Sequence, residues 1–256
     1  MKRLLLGFTL FLCNGLVDAK DVASFLRQTT QVVETKNITD VLKFVTPKTL
    51  VVFDIDNTLA APATVLGSDQ WFSQMVQHRL NEGFDSIHAI NSVLPIYFLV
   101  QFNVDLELVD PKALEVLSEL KNADISSVCL TARSLHLAER TLEQVGRINI
   151  KMSPPTIDEM VLTLAHTSFF KGGTLFSGLN DKGEVLFSYL DRIGLRPDNI
   201  VFVDDKYSNI KTVELATLNR QIPFVGVHYT ALEEEVKNYN HARAEKELEK
   251  FLISRG

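Results

Sequence analysis

Two carboxylates one residue apart, Asp54 and Asp56, end the apolar run Leu50-Val51-Val52-Phe53. Three more polar clusters follow later in the chain. Thr131 and Arg133 come after the apolar run Ile125–Leu130, Lys182 stands at the start of a helical pattern, and Asp204 and Asp205 come after Asn199–Val203. Carboxylates can attack phosphorus, move protons, or hold a hard cation. A carboxylate that attacks an anionic phosphoryl group needs positive charge nearby to offset repulsion. Several carboxylates crowded together need a cation such as Mg²⁺, which prefers oxygen ligands and keeps several waters. A Thr hydroxyl and a Lys ammonium add hydrogen bonds to phosphoryl oxygens. The plain alternative for Asp54-Ile55-Asp56-Asn57 is a polar turn, since Asp and Asn favour turns. That alternative does not explain why polar clusters recur at the ends of several strands.

The elements that must position these residues read as an α/β alternation. A buried strand spans 49–54, another 125–130, a third 199–203 and a fourth 223–227, with helices between them capped by Asp110-Pro111, Ser134 and Asn180 or Asp181. In a parallel sheet of this kind the carboxyl ends of the strands share one edge, where open α/β folds keep their chemistry. Residues 20–46 read as a helical lead-in, Thr156 and Glu159 as a capping box, and 231–253 as one charged helix. Ser168–Phe176 reads as a hairpin about Lys171-Gly172-Gly173. Between the first two core strands, residues 60–109 break the alternation with two apolar helices, about 68–80 and 86–102, and a short strand at 104–109. This stretch is too long and too apolar to be a loop.

Composition narrows the class. The chain has 256 residues, 46% of them hydrophobic and 23% charged, with a formal net charge of -6, which describes a globular protein. No basic stripe of the kind nucleic-acid proteins carry is present. Lys2 and Arg3 followed by the apolar run 4–17 and Val17-Asp18-Ala19 read as a secretory signal peptide over residues 1–19. The run is too short for a membrane span, so no stable membrane anchor is expected after cleavage and the destination is the periplasm or outside the cell. Cleavage removes Cys13 and leaves Cys129 as the lone cysteine, so no intramolecular disulfide is expected.

With Asp54-Ile55-Asp56-Asn57-Thr58, Thr131, Lys182 and Asp204-Asp205 in this order, the chain resembles the haloacid-dehalogenase-like superfamily of phosphohydrolases over about residues 49 to 228. The resemblance implies a Rossmann-like parallel sheet flanked by helices, with a small helical cap inserted after the first strand. The core would then be 20–59 and 110–256, and the cap 60–109. It also implies that Asp54 is the nucleophile, that Asp56 is the general acid and then base, and that Thr131 and Lys182 are catalytic donors. Mg²⁺ would be held by Asp54, Asp56, Asp204 and Asp205, with Asp205 the main ligand of the last pair because Asp205 to Asn209 fits the family's spacing. Lys171 competes with Lys182 for the lysine role but lies in the glycine-rich hairpin.

Arg133, Asn57 and Trp71 are candidate substrate contacts, each with a bland alternative: a surface arginine, a turn residue and a packing aromatic. The presence of Asp56 favours phosphoryl transfer over dehalogenation, which needs no proton for its leaving group. The expected activity is an exported Mg²⁺-dependent phosphomonoesterase acting on a small phosphorylated substrate. The alternatives are a phosphotransferase using the same intermediate, or a secreted binding protein that retains the fold.

Overall fold

The computed structural model of the chain describes residues 29–254, so the signal peptide expected at 1–19 lies outside the described residues. Strand β1 (Thr30–Thr35) is followed by a 3-10 segment at Ile38–Phe44, then β2 (Thr49–Phe53) and β3 (Ala60–Pro62). Helices α1 (Asp69–Asn81) and α2 (Ser86–Gln101) come next, then β4 (Leu106–Leu108), α3 (Lys112–Asn122), β5 (Ser126–Thr131) and α4 (Ala138–Arg147). Strands β6 (Met160–Thr163), β7 (Thr167–Lys171) and β8 (Thr174–Phe176) precede α5 (Lys182–Ile193), β9 (Asn199–Asp204), α6 (Tyr207–Arg220) and β10 (Phe224–Tyr229). Two helices, α7 (Glu233–Lys237) and α8 (His241–Ile253), end the described chain.

Among the described residues, one sheet takes the order β1-β10-β9-β2-β5-β8-β7-β6, and β3 pairs with β4 in a separate antiparallel ribbon. The strands from β1 to β8 in that order run parallel, while β7 and β6 run antiparallel at the far edge. The architecture is α/β and Rossmann-like. Its central strands are buried on both faces, as parallel strands covered by helices must be. Alternate side chains divide between two cores. Val51, Phe53, Cys129, Val201 and Val203 meet α3 through Val116, Leu117 and Leu120. Leu50, Val52, Val128, Leu130 and Phe202 meet α5 and α6 through Leu186, Leu190 and Val213.

Several local expectations are corrected. The lead-in is not one helix: Thr30–Thr35 pairs with β10 as an edge strand, and of its other described residues Ile38–Phe44 forms a 3-10 segment. Its β-branched residues suit a half-buried pleated surface, and ladder bonds outweigh the helical pattern. No helix follows Thr156. Its hydroxyl accepts the Asp158 N–H in a local turn, and Met160–Thr163 pairs with β7. The charged C-terminal helix is two helices, broken at Asn238–Asn240, where the Asn240 side chain caps the second by accepting the Arg243 N–H. The strand that leads into Asp54 is also the second among the described residues, since β1 precedes it.

The insertion between β3 and β4 has its own apolar cluster, in which Leu66, Trp71, Val100 and Val104 meet Ala244 of α8, with Leu248 and Phe251 packed alongside. Glu247 of α8 also accepts the Leu66 N–H at 2.8 Å. The last helix therefore covers the insertion.

Close approach of α5 and α6 depends on Gly183, where an added Cβ would lie 2.7 Å from the Thr212 carbonyl oxygen and 2.8 Å from the Ala216 Cβ. Gly183→Ala should destabilise the fold by about 1–3 kcal/mol, the usual cost of overpacking, read as a lowered urea midpoint. Burial, with the charge of Asp54, pushes the buried Cys129 thiol up to about 12, so it stays a protonated, inert thiol. In a chain starting at Lys20, a thiol reagent at neutral pH should label nothing until denaturant is added. Labelling of the native protein would contradict this packing.

Candidate active site

Four neighbouring strands of the sheet, β9, β2, β5 and β8, bring the polar clusters to one edge. Asp54 directly follows β2, Thr131 ends β5, Asp204 ends β9, and Lys182 opens the helix that follows β8. From β2 the chain moves to β5 and β8 on one side and later to β9 and β10 on the other. The edge is therefore a topological switch point, the usual place for a site in an open α/β sheet.

After Phe53 the chain folds back in a tight turn. The Thr58, Leu59 and Ala60 N–H groups all donate to the Ile55 carbonyl, and Asn57 takes φ 60°. Asn tolerates this left-handed geometry better than most residues. The Asn57 amide then donates to Asp205 Oδ2 at 3.2 Å, while its oxygen accepts from Gln70 Nε2 of α1 at 3.4 Å.

Lys182 stands at the centre. Its Nζ donates to Asp54 Oδ1 and to Asp204 Oδ2, both at 2.7 Å, with all three residues buried. Burial disfavours the ammonium, but Asp204 and Asp54 outweigh it and hold Lys182 firmly charged. The reverse holds for Asp54. Desolvation pushes its carboxyl well above the usual range despite the Lys182 charge, with Asp204, Asp205 and Asp56 pushing the same way. Asp205 is pushed up to about 7, first by burial and then by Asp204.

Asp56 behaves differently. Burial works against its charge, but Arg133, by charge and hydrogen bonds, outweighs burial and holds the carboxyl below its usual range. Arg133 Nε donates to Asp56 Oδ2 and Nη2 to Oδ1, both at 2.8 Å. Such a two-pronged pair fixes orientation as well as charge.

The candidate residues thus sort by contact. Asp54, Asp204, Asp205 and Lys182 share one cluster, Asn57 joins it through Asp205, and Thr131, fully buried, accepts the Arg133 N–H at 3.1 Å. Lys171 lies elsewhere, paired with Glu139 and Glu159. Two expectations are corrected. Arg133 is not a free cation facing substrate, because its guanidinium is buried and occupied by Asp56, Thr141 and Gln144. Trp71 is 1% exposed and stacks on Tyr97 inside the insertion, so it packs rather than facing the site. Asn209, in the first turn of α6, donates to both oxygens of Asp204 at 3.0 Å.

Other residues at the site were not singled out by sequence. Lys206 pairs with Asp69 at the start of α1 at 2.8 Å. Tyr97 of α2 lies in the field of Asp56, Arg133 and Asp69, and burial raises its phenol first. Lys206 did have a signal, since it directly follows the acidic pair. Tyr97 had none beyond being aromatic in an apolar helix.

The Asp54, Asp204 and Asp205 carboxylates can place one oxygen each within 4.8 Å of one another. Asp204 is already saturated by Lys182, Asn209 and the Lys206 N–H. Asp205 accepts from Asn57 and borders a cavity of about 140 Å³ that it shares with Asn57, His228 and Glu233. An all-oxygen set that is short of positive charge fits a hard divalent cation.

The family defined as "Protein of unknown function (DUF2608)" matches residues 31–253. The chain belongs to this family. Among its relatives, a Chlamydia pneumoniae protein named "Putative outer membrane protein" is 26% identical over 216 residues, 78% of this chain and 77% of that one. A Chlamydia muridarum protein of the same name is 24% identical over 180 residues, 70% and 68% of the two chains. A haloacid dehalogenase-like family hydrolase from Streptococcus pneumoniae is similar in structure at a TM-score of 0.41 and 15% identity, covering 69% of this DUF2608 chain and 92% of that one. No helix among the described residues is long and apolar enough to cross a membrane.

Removing one partner of a buried ionic cluster leaves the other charges uncompensated. Lys182→Met should therefore cost about 3–5 kcal/mol of stability in urea denaturation with chelator present. A loss under about 1 kcal/mol would show that Lys182 does not balance Asp54 and Asp204.

Proposed function

We propose that this DUF2608 chain is an exported, Mg²⁺-dependent phosphomonoesterase that acts on a small phosphorylated substrate through a phosphorylated Asp54. The observation that carries the reading is the Lys182 ammonium bridging Asp54 and Asp204 at adjacent strand ends. A buried cation there screens a nucleophilic carboxylate from its neighbours and presents positive charge where an anionic phosphoryl group must arrive. Asp54 and Asp205 would hold the metal, which would supply charge neutralisation to the phosphoryl oxygens, with the saturated Asp204 beside them.

The rest of the chemistry belongs to the chain's own side chains. Asp54 attacks phosphorus and the bond to the leaving oxygen breaks, while Lys182 and the Thr131 hydroxyl donate to the phosphoryl oxygens. Asp56 gives a proton to the departing oxygen and later takes one from water, which attacks the phosphorylated Asp54 and releases phosphate. Arg133 holds Asp56 as a carboxylate in this structure, which is the form needed to remove a proton from water. For the acid step Asp56 takes up one proton from solvent and keeps its contact with Arg133 through the other oxygen. Export is supported by the leader pattern at residues 1–19 and by the names of the chlamydial relatives.

The purified chain should release phosphate from a panel of phosphomonoesters with Mg²⁺ and not with chelator. Asp54→Asn should lower kcat by roughly a thousandfold or more, since it removes the covalent step. A folded wild-type protein with no Mg²⁺-dependent phosphate release across the panel would overturn the proposal. With glycerol present, formation of glycerol phosphate at the expense of free phosphate would reassign the enzyme as a phosphotransferase.

A further inference from the structure

We propose that Gln144 and Arg133 position the Asp56 carboxylate and tie it to the segment where the insertion rejoins the core. The activity part of this inference rests on the phosphomonoesterase reading. The structural part does not.

The contacts form an unbroken buried chain. Arg133 places Nε and Nη2 on Asp56 and Nη1 on Gln144 Oε1 at 2.8 Å and on the Thr141 hydroxyl at 3.2 Å. Gln144 then donates from Nε2 to the carbonyls of Val104 at 2.8 Å and Gln101 at 3.2 Å. One turn away on α4, Arg140 donates to the same two carbonyls, from Nε to Gln101 at 3.2 Å and from Nη2 to Val104 at 2.8 Å. These carbonyls lie at the C-terminal end of α2, just before β4 returns the chain to the core. Gln101 also donates to the Gly67 carbonyl at 2.6 Å, so the segment entering α1 and the one leaving α2 meet at one joint.

Plain packing does not call for this arrangement. Gln144 is 1% exposed and Arg133 4%, and a buried polar side chain costs stability unless its hydrogen bonds are made. An apolar residue at 144 would fill the space without that requirement. It would also leave Arg133 Nη1 one acceptor short and release the Val104 carbonyl from one of its two donors. What Gln144 adds is direction. Its oxygen aims the guanidinium at Asp56, and its amide is set by where the insertion ends. Gln101 Oε1 is buried with no partner, so the joint itself is not fully satisfied and is held in place by α4. A shift of residues 101–104 must move the amide of Gln144, then Arg133, then the carboxylate that handles the proton. Arg133 and Gln144 are therefore positioning residues. Neither touches the reacting phosphoryl group.

The test uses two substrates and a measurement that needs no turnover. An aryl phosphate such as p-nitrophenyl phosphate has a leaving group that departs without a proton, whereas ethyl phosphate requires one. In Gln144→Leu, kcat/KM for ethyl phosphate should fall by roughly tenfold or more beyond any fall for the aryl ester, because a misplaced acid forfeits part of its contribution. Gln144→Glu keeps the acceptor for Arg133 and loses the amide donors, so it should show the same bias to a smaller degree. If Gln144→Leu does not fold, Gln144→Glu carries the comparison. An equal loss on both substrates would overturn the positioning role.

The tie to the insertion is read by deuterium exchange at the Asn103 and Val104 amides, which are hydrogen-bonded to the Val100 carbonyl. Coupling is reciprocal, so Asp56→Asn should speed exchange there severalfold relative to wild type. Unchanged exchange would overturn the tie, whatever the rates do. If wild type turns over neither ester, the phosphomonoesterase reading fails, and exchange alone decides whether Asp56 and the joint are linked.

Discussion

The site edge depends on keeping one ammonium buried between two buried carboxylates. Lys182 reaches Asp54 and Asp204 from the first turn of α5, and that reach is possible because Gly183 lets α5 lie close against α6. Without a cation at this point the carboxyl ends of β2 and β9 would face each other as like charges in a medium where repulsion is little screened. The packing of α5 on α6 and the electrostatics of the site are thus one constraint seen at two levels.

The same constraint explains why the four aspartates differ. Asp204, fully buried, is saturated by Lys182, Asn209 and the Lys206 N–H, so it acts as a fixed counter-charge. Asp205 keeps open valence and faces a cavity. Asp56 has its own guanidinium and is set apart from the cluster. Identical side chains thereby take different surroundings from their partners: Lys182 bridges Asp54 and Asp204, Asn57 meets Asp205, and Arg133 holds Asp56.

Much of this was legible in the sequence. The strands ending at Phe53, Thr131 and Asp204 announce themselves by short β-branched runs, and Asp181 and Gly194 bracket α5 with the expected cap chemistry. Other features were hidden for physical reasons. Strand β1 carries a pattern that also suits a helix, and only its pairing with β10, nearly two hundred positions later, decides the matter. Asp205 to Asn209 fits a sequence spacing, yet the turn into α6 points that amide at Asp204. Arg133 reads as a surface arginine because its acceptors, Asp56 and Gln144, come from separate stretches. Buried polar networks of this kind are set by tertiary contact and leave no local period to read.

The described chain closes on itself at both ends. Its first strand pairs with its last, and its final helix supplies Ala244, Leu248 and Phe251 to the apolar cluster of the insertion. Synthesis proceeds from the N-terminus, so α1 and α2 have no cover for their apolar faces until the last residues have emerged. A nascent chain that has not yet emerged past β10 and α8 has neither a partner for β1 nor a cover for the apolar cluster of the insertion.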